Sequence, residues 1–123
     1  IYANDFNWRI VYFAIDDFRN LSKNSNLNVA IDISSSLADI IHKRINEDEL
    51  ITSTSPYEFY VLIENNELAD KRIEDIRLDA ERLLKKAFDM NIKIDTGYEI
   101  LNKEINNAHI IALSAKRNCG GNI

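Results

Sequence analysis

The chain of 123 residues is poor in the residues that staple or punctuate small proteins, with one cysteine, one proline and three glycines. A single thiol, Cys119, excludes an internal disulfide framework and suits a reducing compartment. A structural zinc site takes about four ligands, which one Cys and two separated histidines, His42 and His109, do not supply. Basic residues are also short: 15 Lys and Arg stand against 20 Asp and Glu, a net charge of -5. No basic run offers the electrostatic footprint of a nucleic-acid binder or of a protein drawn to an anionic membrane. No apolar run approaches the roughly 20 residues of a membrane span. Neither a signal-peptide pattern, an internal repeat nor a low-complexity linker is visible.

What is present is ordinary for a globular domain, with 46% hydrophobic and 28% charged residues. Disorder is disfavoured at that apolar fraction. The length supports one core, so residues 1–123 read as a single domain. The chain opens Ile1-Tyr2-Ala3 without an initiator Met, and the expectation is a domain excised from a longer, cytoplasmic, multidomain protein.

Trp8 to Ile15 (WRIVYFAI) is a nearly continuous apolar run and reads as a strand buried on both faces. Asp16-Asp17 ends it, and the Asn- and Ser-rich stretch from Asn20 to Asn28 reads as a loop or a short frayed helix. Ile33, Leu37, Ile40, Ile41 and Ile45 are spaced for a helix over Ala30 to Ile45. Leu50-Ile51 and Phe59 to Ile63 flank a polar segment centred on Ser55-Pro56, the pattern of a hairpin. A long helix is expected over Glu67 to Met90. Its buried stripe is Ala69, Ile73, Ile76, Ala80, Leu83, Leu84 and Ala87, and its wet face carries the pairs Lys71–Asp75 and Glu81–Lys85. Ile92, Ile94 and Thr96 alternate as a strand, Gly97 follows, and a last helix through Ile105, Ala108, Ile111, Ala112 and Ala115 stops at Gly120-Gly121. The order gives an α+β, two-layer sandwich: a mostly antiparallel sheet with a βαββαβ core of the ferredoxin or nucleotidyl-cyclase kind.

Three segments in this order resemble the GGDEF family of diguanylate cyclases. Ile15 to Leu21 (IDDFRNL) resembles the family's first strand exit, D-x-D-x-F-K. Ser55-Pro56-Tyr57-Glu58-Phe59 stands where the signature G-G-D/E-E-F belongs. Ala108 to Asn122 resembles A-D-x-A-L-Y-x-A-K-x-x-G-R-N, and Thr96-Gly97 resembles the S-x-G after the penultimate strand. The resemblance implies a fold built to condense two GTP molecules into cyclic di-GMP across two facing domains, with a metal offsetting triphosphate charge.

The departures fall on the residues that the resemblance makes functional. The first metal-binding Asp is Ala14, and a methyl group does not coordinate a hard cation. The acidic third signature position is Tyr57, and the two phosphate-approaching glycines are Ser55 and Pro56. The guanine-reading Asn and Asp become Ser22 and Ile31. Removing a hydrogen-bond partner from a buried site costs roughly 1–3 kcal/mol each time. The inhibitory product motif R-x-x-D becomes Asn46 and Glu49. What survives is Asp16, Phe18, Arg19 in place of Lys, Glu58, Phe59 and Lys116.

Two readings stand for the survivors. Asp16, Asp17 and Glu58 are a weak remnant of a metal or phosphate site, or a strand-end cap and a turn carboxylate. Phe18, Arg19 and Lys116 are vestigial nucleotide contacts, or a core ring and solvated charges. His42 and His109 read as surface residues, Cys119 as an inert thiol, and Gly120-Gly121 as a helix stop. The function expected is a catalytically inactive GGDEF-like regulatory or interaction domain of a bacterial-type signalling protein. It would need no cofactor or metal and would act on other domains of its own protein or on a homodimer mate. The alternatives are a residual or altered cyclase, a GTP or cyclic di-GMP sensor, and an unrelated βαββαβ domain. A GGDEF arrangement requires Tyr57 at a hairpin tip beside the end of the Trp8–Ile15 strand.

Overall fold

A computed structural model describes residues 8–16, 18 and 27–101. The expected last helix lies outside these residues, as do Asp17, Arg19, Ser22, His109, Lys116, Cys119 and Gly120-Gly121.

Strand β1 (Trp8–Ile15) is the spine of the sheet. Its β-branched and aromatic residues suit a pleated, two-sided position, and every residue from Val11 to Ile15 is buried. β1 pairs antiparallel with β3 (Glu58–Glu64) on one side and β4 (Ile94–Ile100) on the other. β2 (Leu50–Ser55) pairs antiparallel with β3, so the order is β2-β3-β1-β4 with all three pairings antiparallel. Helix α1 (Leu27–His42) connects β1 to β2, and helix α2 (Ala69–Phe88) connects β3 to β4. This is the expected βαββαβ sandwich.

The core lies between the helices and one face of the sheet. Val11, Phe13 and Ile15 of β1 meet Phe59, Val61 and Ile63 of β3, Ile33, Leu37 and Ile41 of α1, and Ile73, Ile76 and Leu84 of α2. Each fully buried side chain of this size stabilises the fold by about 1.5–3 kcal/mol before entropy is counted. The period-2 alternation of β1 sends Tyr12 and Ala14 to the opposite face, where they cluster with Tyr60 and Ile10.

Several boundaries differ from the sequence reading. Helix α1 starts three residues earlier and ends at His42, not Ile45. There the Arg44 N–H turns back to the Ile41 carbonyl (2.9 Å), and the Arg44 guanidinium donates to the Ile40 carbonyl (3.2 Å), satisfying end groups that lack helical partners. α2 starts at Ala69, because Asn66 accepts the Leu68 N–H with its side chain and the Ala69 N–H with its carbonyl. It ends where Asp89 turns left-handed (φ 54) and donates to the Lys85 carbonyl. Lys71 pairs with Asp75 as expected, but Glu81 turns from Lys85 to Arg77 (3.2 Å) and to the Ile94 N–H (2.8 Å). The approaching start of β4 offers that carboxylate a backbone donor, which a surface lysine cannot match. Ala87 is exposed, not part of the stripe. β4 begins later than Ile92 and runs on through Gly97, held by its pairing with β1.

Candidate functional site

Three segments meet at the C-terminal end of β1. The β2–β3 hairpin turns at Pro56-Tyr57, where proline's fixed φ suits a turn, and a bulge lies between Ser53 and Ser55. The Ile15 N–H donates to the Tyr57 carbonyl (3.1 Å), which fastens the hairpin tip to the strand end. The next N–H, that of Asp16, donates to the Lys93 carbonyl (2.8 Å) and fastens the α2–β4 connection there as well. Tyr57 therefore sits where the GGDEF arrangement requires it.

The register places Glu58 and Asp95 on either side of Ala14 in one row across the second sheet face. Opposed residues in such a row have Cβ atoms about 4.5–5.5 Å apart, so the Ala14 methyl stands between two carboxyl groups. Glu58 is 7% exposed. One of its oxygens accepts from the Tyr12 hydroxyl (2.5 Å) and the other from the Ser55 hydroxyl (3.1 Å). It is a buried, hydrogen-bonded acid and not the turn carboxylate of the plainer sequence reading. Burial pushes the Asp95 carboxyl above its usual range, and the neighbouring Asp16 adds to the rise while Lys93 opposes it. Asp16 itself is exposed.

The Tyr57 ring stacks on Phe18, with centroids 4.9 Å apart and planes inclined by 21°. Phe59 points into the core, and Phe18 packs against the same core. Ile31 is exposed on α1 (47%). Among the described residues, no group of three or more His, Cys, Asp or Glu is placed to hold a metal ion.

Asn46 and Glu49 lie in the connection from α1 to β2, and Glu49 faces inward. Its side chain is fully buried and takes both terminal nitrogens of Arg72 (2.7 and 2.6 Å). It also accepts the backbone N–H groups of Asn46 (2.7 Å) and Glu64 (2.9 Å). Burial alone would raise its pKa, but the Arg72 hydrogen bonds, the two backbone donors and the Arg72 charge outweigh it and hold it at about 2.

The sequence reading did not single out Tyr12, Arg72 or Asp95. Each reaches its partner across the fold, Tyr12 and Glu58 being 46 positions apart and Glu49 and Arg72 23. Only the strand register, once known, would have put Asp95 beside Ala14.

No protein-family model matches the sequence, and no curated protein matches it. Solved structures do match by fold. The GGDEF domain of DgcB from Caulobacter crescentus, crystallised in complex with c-di-GMP, superposes with a TM-score of 0.74 at 13% identity. That match covers 89% of this chain and 68% of the other. The active GGEEF domain of a diguanylate cyclase from Vibrio cholerae gives 0.70 at 12% identity, over 89% of this chain and 72% of the other. The diguanylate cyclase SiaD from Pseudomonas aeruginosa, in complex with its activator SiaC, gives 0.67 at 18% identity, over 91% of this chain and 47% of the other.

Proposed function

We propose that this chain, whose fold is that of GGDEF domains, is a catalytically silent regulatory or interaction module of a cytoplasmic signalling protein. The observation that carries the reading is the row Glu58–Ala14–Asp95. At its centre, where the family resemblance calls for a metal-binding Asp, stands a methyl group. The acid on one side has its two oxygens held by Tyr12 and Ser55. At the third signature position Tyr57 lies against Phe18. A divalent cation that carries a triphosphate wants several hard oxygens converging on one point, and this donor set does not fit one.

The product-site position argues in the same direction. Glu49 is consumed by Arg72 and two backbone donors, so it has little capacity left for a ligand. The part that remains is a four-stranded sheet with two packed helices, suited to holding a partner domain or passing a displacement to it. SiaD, which shares the fold, was crystallised with a protein activator, and contact with a protein is the role assigned to this chain as well.

The test is direct. The purified chain is incubated with GTP and magnesium, and cyclic di-GMP is sought by mass spectrometry. No product above a boiled control is expected. Magnesium-dependent product that disappears in Asp16→Ala would replace this reading with that of a residual cyclase.

A further inference from the structure

A concave groove lies on the flank of α2 and reaches the α2–β4 connection. Leu78, Glu81, Arg82 and Lys85 recur at helical spacing along that flank and face Asn91, Ile92 and Lys93 of the α2–β4 connection across a groove of about 400 Å³. Small-molecule sites fall at roughly 300–1,000 Å³ and combine apolar walls with a few placed polar groups. Leu78, 48% exposed, and Ile92 supply the apolar wall.

The charge in the groove is unusual for this chain. Arg82, Lys85 and Lys93 line it together on a molecule of net charge -5. Among the described residues, no carboxylate forms an ion pair with Lys85 or Lys93. Arg82 reaches Asp79 only at 3.6 Å. The one acid in the lining, Glu81, is already engaged by Arg77 and the Ile94 N–H. Three exposed cations lining one groove raise the local concentration of an anion. Lys85 lies in the last turn of α2, where the helix dipole opposes an anion, so the three cations must hold the phosphate against it.

We infer that this groove binds a small organic phosphate, its phosphate held by Arg82, Lys85 and Lys93 and its apolar or planar body resting on Leu78 and Ile92. The Asn91 side chain is available to a polar edge of that body. The site is independent of the proposal that the chain lacks catalysis. It adjoins the β1 exit, because the Lys93 carbonyl accepts the Asp16 N–H.

The experiment is a titration of the whole chain, followed by amide chemical shifts, with phenyl phosphate, inorganic phosphate and phenol as separate probes. Saturable shifts at Leu78, Lys85, Ile92 and Lys93 with phenyl phosphate are expected, with weaker binding of either fragment. Lys85→Glu/Lys93→Glu should weaken phenyl phosphate at least about tenfold. Both lysines are exposed, so the unfolding midpoint should hold. Lys85→Gln/Lys93→Gln provides the same comparison if charge reversal disturbs folding. No saturation below roughly 10 mM, shifts centred elsewhere, or equal binding by the variants would overturn the assignment. Inorganic phosphate binding as tightly as phenyl phosphate would remove the apolar subsite from it.

Discussion

At the scale of single residues, Glu49 is the most exacting position. Its pKa is about 2 when folded against an ordinary 4.5. A depressed acid stabilises the fold above its unfolded pKa and loses that contribution as pH falls through the folded value. The shift corresponds to about 3 kcal/mol. Urea unfolding should therefore show stability falling between about pH 4.5 and 2, and Glu49→Gln should flatten that fall while lowering stability at pH 7 by about 3 kcal/mol. Asp95 acts with the opposite sign: its raised pKa favours the fold below the ordinary value of 3.8 and costs stability as pH rises through the folded value. Tyr12→Phe removes one of the hydroxyl donors to buried Glu58 and should cost roughly 1–3 kcal/mol, measurable in the same denaturant series. Ala14, Tyr57 and Pro56 were legible in the sequence, because a motif resemblance assigns a position to each. The partnerships of Glu58 with Tyr12 and of Glu49 with Arg72 were not, because nothing local in a chain announces a hydrogen bond made 46 or 23 residues away.

At the scale of elements, apolar periodicity placed both helices and β1, whose bounds Trp8–Ile15 match the run WRIVYFAI. Periodicity reports which residues face the core and says less about where an element stops. Stops depend on end groups: Arg44 folding onto Ile40 closes α1, and Asp89 closes α2 in a left-handed turn. Gly97 was read as following a strand, yet β4 continues through it. The sheet sets it opposite Tyr12, where it places no side chain beside the ring that leans toward Tyr60. The α2 terminus gives a prediction of its own. A left-handed residue bearing a Cβ is strained, and glycine is the usual occupant. Asp89→Gly should raise stability by about 0.5–1 kcal/mol after glycine's entropy is counted. That is a rise of several degrees in the thermal midpoint for a chain of this length; an unchanged or lower midpoint would show that the Asp89 side chain contributes more than its strain costs.

At the scale of the whole molecule, strand order β2-β3-β1-β4 brings the hairpin tip, the β1 exit and the α2–β4 connection to one end of the sheet. The sequence order of strands and helices was enough to expect this topology, since right-handed crossovers leave few ways to arrange βαββαβ. It was not enough to show what the end of the sheet contains. Solved GGDEF structures share the scaffold at 12–13% identity, and at that distance the fold is common while the chemistry is open. We propose that this scaffold has kept its shape and lost the family's nucleotide site. Thermal unfolding of the purified chain with GTP and magnesium, ATP and magnesium, or cyclic di-GMP tests it most directly. A ligand at about 100 times its dissociation constant adds roughly 2.7 kcal/mol to stability, a shift of several degrees at this size. The predicted result is no magnesium-dependent rise with any of the three, and any rise that does not need magnesium should disappear in Lys85→Gln/Lys93→Gln. A midpoint raised by GTP only when magnesium is present would contradict the claim.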